Sequence, residues 1–207
     1  DFNLNKNLLK LVIIVSLVII SINFYEWVIE RSYYEYSDWL INYKGGFTRR
    51  GLIGEFLYNL YSITSIKLDL LLYFFVILLY VSFFYFLFKI LDETNLNFLN
   101  TLIIFSPFSF IYLAASKTLA GRKEILLFLL ITIFFYKFEK IKFQHVKYWL
   151  IVIFLITSLT HFAFAFYFPF LIFFFIYFYY NKATKDLTTQ LLPVFLIGLT
   201  TCLSLIY

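Results

Sequence analysis

Long apolar runs alternate along this chain with short polar breaks, and the lengths of the runs set the architecture. A helix that crosses a membrane takes roughly 17–25 mostly apolar residues. Such runs extend from Leu11 to about Ile29, from Leu68 to about Ile90 and from Phe98 to about Ala115. A fourth opens at Glu124 and ends near Tyr136, and it reaches spanning length only if it begins close to Gly121. Trp149–Tyr180 is long for one helix and short for two, with Thr157-Ser158, Thr160-His161 and Pro169 interrupting it. A last run begins at Leu187 and is still apolar at Tyr207. The pattern predicts an all-α, polytopic transmembrane bundle of about seven spans, the last truncated.

Lysines between the runs give an orientation, because short cytoplasmic loops are rich in Lys and Arg. Lys6 and Lys10 precede the first run; Lys137, Lys140, Lys142 and Lys147 follow the fourth; Lys182 and Lys185 follow Tyr180. If all are cytoplasmic, Trp149–Tyr180 is a hairpin with His161 to Pro169 near its tip. A single tilted helix would place Lys182 and Lys185 on the far side. The hairpin is the expected form, with the N-terminus cytoplasmic. Residues 25–67, 116–123 and the hairpin tip then face outward. They carry Arg31, Arg49, Arg50, Arg122 and Lys123 against the charge rule, which marks these cations as candidates for function.

The outward loop 25–67 has a pattern of its own. Gly45-Gly46 signals a turn, and Thr48 is a candidate N-cap. Beyond it Leu52, Ile53, Phe56, Leu57, Leu60 and Tyr61 fall at helical spacing. The spacing predicts an amphipathic helix lying against the membrane surface. Glu26 and Glu30, spaced i, i+4, are able to extend the first spanning helix into this loop.

Composition removes the main alternatives. The 207 residues are 63% hydrophobic, 25% aromatic and 14% charged. Soluble domains are about a quarter charged, so too few charges are present to coat a water-facing surface. Disorder is excluded on the same grounds. One cysteine, Cys202, excludes a disulfide framework. The net charge of +5 is spread over loops on both faces, so no nucleic-acid patch forms. Met is absent and the chain ends inside an apolar run, as expected of one transmembrane domain, 1–207, cut from a longer chain. Walker, GxGxxG, HExxH and CxxC motifs are absent.

The candidate chemistry is anion binding. Arg49 and Arg50 are placed by the spacing in the first turn of the predicted surface helix, where cations are unfavourable unless an anion joins them. Free N–H groups, a glycine and two guanidiniums suit a phosphate; binding of lipid headgroups explains the pair equally well. Arg122 and Lys123 repeat the arrangement after Gly121. Glu124 follows them, either as an interfacial salt-bridge partner or as part of a second anion site. Asp38 lies between Tyr36 and Trp39, and aromatic faces with a carboxylate and nearby arginines suit a sugar phosphate. His161 sits in an apolar context, where an ionisable group is a functional candidate, with Thr157 or Thr160 as packing partners. No second His or Cys shares its face, so no metal site is expected.

Asp38-Trp39-Leu40-Ile41-Asn42-Tyr43-Lys44-Gly45-Gly46-Phe47-Thr48-Arg49-Arg50-Gly51-Leu52-Ile53-Gly54-Glu55 resembles a block of bacterial envelope-polysaccharide membrane proteins. Gly121-Arg122-Lys123-Glu124, after the Ser106-Pro107-Phe108 helix, resembles a second block, and Thr160-His161 with its aromatic run and Pro169 a third. The layout is similar to the type-C (GT-C fold) membrane glycosyltransferases. In motif the resemblance covers only about thirty residues. Where the third block often has an acid after the histidine, this chain has Phe162, which leaves His161 without an adjacent carboxylate.

The resemblance implies a bacterial inner-membrane protein that transfers sugar from a polyprenyl-(di)phosphate on the extracytoplasmic face. It implies Asp38 as base, with Arg49, Arg50, Arg122 and Lys123 on the phosphate. Glu55 and Glu124 would orient those cations, with His161 in support. Some type-C enzymes use a divalent metal, but no ligand cluster is evident here. The expected partners are membrane lipid and a polyprenyl-linked sugar, with no nucleic acid. A transporter, flippase or accessory subunit for a lipid-linked anion would use the same cations without chemistry.

Overall fold

The computed structural model describes residues 6–31, 34–48, 50–93, 113–138 and 143–160. Among them all regular structure is helical: α1 Lys6–Glu30, α2 Tyr34–Trp39, α3 Leu52–Thr64, α4 Leu68–Glu93, α5 Lys117–Ala120, α6 Glu124–Phe138 and α7 Phe143–Ser158.

Among the described residues two helices, α1 and α4, are long and apolar enough to cross a membrane. At 25 and 26 residues and ~1.5 Å per residue they exceed the ~30 Å hydrocarbon layer. Core helices of water-soluble proteins bury most of their apolar surface. Here only 28% and 33% of the most apolar stretches of α1 and α4 are buried. Leu11, Val15, Val18 and Ile22 form an exposed stripe on α1, and Phe74, Leu78 and Val81 are exposed on α4. Water would penalise those faces by about 25 cal/mol for each Å², whereas lipid would not. The fold and the composition together indicate a membrane-associated chain.

The seven-span bundle is recovered only in part. Helices α6 and α7 have 15 and 16 residues, just short of the roughly 17 that a span requires. The expected start of α6 near Gly121 is corrected to Glu124. Gly121 instead closes α5, its N–H donating to the Lys117 carbonyl at 3.2 Å. Most of the predicted third span, the tip and return arm of the hairpin, and the last span lie outside the described residues. Leu113 and Ala114, at the end of that third run, form a short 3-10 turn.

The core runs between α1 and α4 and continues onto α6. Phe24 and Trp27 of α1 stack at 4.9 Å, and Phe83 of α4 meets Phe128 of α6 at 6.4 Å. Tyr80 is buried and its hydroxyl donates to the Ala120 carbonyl at 2.9 Å. Asn23 of α1 donates to the Ala114 carbonyl at 3.0 Å. Lys117 forms ion pairs with Glu26 at 2.9 Å and Glu30 at 2.7 Å, which raise its pKa. Glu26 and Glu30 do extend α1, as their spacing predicts, and they also anchor α5. The contacts of Asn23, Glu26 and Glu30 gather at the C-terminal end of α1, the end that carries the polar loops.

The helix that the spacing from Leu52 predicts is present as α3, with corrected boundaries. Its N-cap is Gly51, not Thr48. Arg50 therefore precedes the helix instead of entering its first turn, and Arg49 lies outside the described residues. Of the predicted apolar face, Ile53 and Leu57 are buried, while Phe56 and Tyr61 stay exposed. Gly54 lets the helix approach closely: a Cβ there would lie 1.9 Å from the Ile41 carbonyl oxygen.

Candidate functional site

Three charged groups far apart in the chain converge at the loop-bearing end. Asp38 sits on α2, a six-residue helix too short to be stable alone. Its position comes from its neighbours. Trp39 is fully buried, and its indole N–H donates to the Gly121 carbonyl at 2.6 Å. Tyr36 donates its hydroxyl to Asp69 at the start of α4. Gly121 itself packs under Trp27, where a Cβ would come within 2.7 Å of the indole. Trp39 and Tyr36 thus tie α2 to the α5–α6 junction and to α4.

Lys123 points into this junction and is only 2% exposed. Its ammonium lies 3.0 Å from the Asp38 Oδ2 and donates to the Asp38 carbonyl at 2.7 Å and the Thr160 carbonyl at 3.2 Å. An ammonium has three donors, and here three acceptors meet them. Burial lowers the Lys123 pKa; Asp38 opposes that shift and Arg50 adds to it. Arg50 donates to the Asp38 Oδ1 at 3.3 Å and to the Tyr34 hydroxyl at 2.6 Å. Partial burial works against its charge, but the hydrogen bonds to Tyr34 and Asp38 prevail and raise its pKa. The Asp38 carboxylate is 6% exposed and the Arg50 side chain 33%. One carboxylate oxygen therefore faces a fixed, buried cation, and the other faces a cation with access to solvent.

Not every sequence candidate joins this centre. Arg122 is exposed and pairs with Glu124 at 3.5 Å. The helix α6 starts at Glu124, so Arg122 and Lys123 precede it and neither occupies its first turn. Glu55 accepts the Tyr43 backbone N–H at 3.0 Å, which secures the Gly45-Gly46 turn and not a cation. Arg49 and His161 lie outside the described residues. Sequence reasoning missed Tyr34, the Gly121 carbonyl and the Thr160 carbonyl. The last two are backbone atoms, which carry no residue-type signal. Tyr34 sits among four aromatics and acids of similar kind in the 33–36 stretch, with nothing to distinguish it.

Among the described residues no group of three His, Cys, Asp or Glu side chains is placed to hold a metal ion. The centre can bind an anion at the partly exposed Arg50, beside a carboxylate whose position is fixed. Comparison with known protein families, with characterised proteins and with solved structures finds no match to this chain.

Proposed function

We propose that the chain is a membrane glycosyltransferase that uses a polyprenyl-(di)phosphate-linked sugar donor on the extracytoplasmic face of the bacterial inner membrane. In this reading the N-terminus is cytoplasmic, the chain spans the membrane several times, and α3 lies along the outer surface. The observation that carries the reading is the Asp38 carboxylate held between a buried lysine and a partly exposed arginine.

The arrangement suits sugar transfer for a physical reason. A general base needs a free oxygen and a fixed orientation. Lys123 supplies the orientation through Oδ2. Arg50 covers Oδ1 until an anion competes for its guanidinium. A donor phosphate drawn to Arg50 would release Oδ1 to an acceptor hydroxyl. The acceptor oxygen then bonds to the anomeric carbon while its proton passes to Asp38. The bond from that carbon to the phosphate oxygen breaks, its electron pair staying on the phosphate, where cations stabilise it. Lys123 is thus a positioning residue in place of a phosphate ligand.

The test supplies a radiolabelled polyprenyl-phosphate sugar pool to membranes that contain the full-length protein. Asp38→Asn should retain the lipid and lose transfer by about 10²–10⁴-fold. Lipid binding with no transfer by either protein would move the chain to the transporter or accessory class.

A further inference from the structure

A second site lies apart from Asp38, between the last turn of α1 and the first turns of α4. It is an open pocket of about 430 Å³, walled by Tyr25, Ile29, Leu70 and Tyr73 and rimmed by Arg31 and Lys67. Asp69 also lines it, but its charge is already spent: one oxygen accepts from Arg31 and the other from Tyr36. Burial first, then Asp69, push the Tyr36 pKa up to about 12, against a smaller opposing pull from Arg31.

The rim keeps an excess of one positive charge, two cations against one acid. Among the described residues the Lys67 ammonium has no ion pair or hydrogen bond. The Arg31 side chain is 62% exposed, so most of its five donors remain open beyond the one given to Asp69. Arg31 also has a left-handed backbone, with φ 49°. It follows α1 where glycine is the usual choice, and a side chain there carries a conformational cost. Below the rim the walls are apolar and continue into the exposed faces of Ile29 and Phe74. Positive rim and apolar descent lie where two membrane-crossing helices meet their polar loops.

We propose that this pocket binds a phosphate-bearing membrane lipid. The phosphate sits against Lys67 and Arg31, and the chains run down the groove between α1 and α4. The volume holds a headgroup and glycerol, not a whole lipid, which agrees with chains that leave along exposed apolar faces. The inference is independent of the sugar-transfer reading, since Lys67 and Asp38 are probed by different assays and either can fail alone.

The experiment is native mass spectrometry of the full-length protein in detergent with dioleoyl phosphatidylglycerol, and with dioleoylglycerol as the phosphate-free analogue. Phosphatidylglycerol should be retained and dioleoylglycerol should bind about tenfold more weakly, as expected for loss of charge-assisted hydrogen bonds. Lys67→Gln should weaken phosphatidylglycerol by about the same factor, and Lys67→Arg should restore it. Lys44→Gln is the control, because the Lys44 ammonium lies over the Tyr58 ring, 3.7 Å from its centre; it should change nothing. Equal retention of the two lipids, or of phosphatidylglycerol by Lys67→Gln and wild type, would overturn the proposal. Displacement by millimolar inorganic phosphate would overturn it too, by assigning the rim to a free anion.

Discussion

The two ends of the α1–α4 pair each hold a lysine against an aspartate, and the two pairs could hardly differ more. At one end Lys10 meets Asp92 at 2.5 Å, with side chains 32% and 50% exposed. At the other, Lys123 meets Asp38 at 3.0 Å, with side chains 2% and 6% exposed. The shorter pair is the weaker one. In water each Lys10 and Asp92 charge is already solvated, so their contact adds little. Asp38 and Lys123 have left water, and each depends on the other for what water supplied. Proximity describes both pairs; surroundings decide what each contributes.

That contrast can be broken at several points. Lys123→Met should produce the largest effect, about 3–5 kcal/mol lost in denaturant unfolding in micelles, because it leaves the buried Asp38 Oδ2 without its cation. A loss under ~1 kcal/mol would make the two ends equivalent and remove the contrast.

A smaller effect should appear at high pH near Asp38. Tyr36 is held protonated to about 12 in the fold, whereas an unfolded tyrosine ionises near ~10. The unfolded chain therefore loses this proton first. Stability from Tyr36 is complete below about pH 10 and is lost as pH rises toward about 12. Tyr36→Phe should flatten that part of the stability–pH profile, and an unchanged slope would remove Tyr36 from the cause. The smallest effect belongs to Lys10→Met, which should leave the midpoint of the same unfolding measurement nearly unchanged. A loss comparable with Lys123→Met would show that exposure does not separate the pairs.

The long elements were legible because apolar length and period act locally. The runs at Leu11 and Leu68 became α1 and α4, and the spacing from Leu52 became α3. Helix starts were read less well. Thr48 has the chemistry of a cap, yet Gly51 holds that position, because α3 must pack close to Ile41 and Tyr43. Asp38, Arg50 and Lys123 were legible as unusual charges. Their convergence was not, since 85 residues separate Asp38 from Lys123 and no periodicity spans such a gap. Arg31 stood out as a cation against the charge rule, but nothing in the sequence set Asp69 apart. Its part in the pocket depends on α1 and α2 folding back over α4.

The buried pair also sets an order of events during synthesis. Asp38 is made 85 residues before Lys123, a delay on the order of 4–17 s at ribosomal rates of ~5–20 residues per second. During that interval the carboxylate has no lysine and stays hydrated. The nascent loop must therefore wait in water, and α2 can seat only after the α5–α6 junction has emerged. Closure of this end of the protein is a late step, timed by the arrival of a single ammonium group.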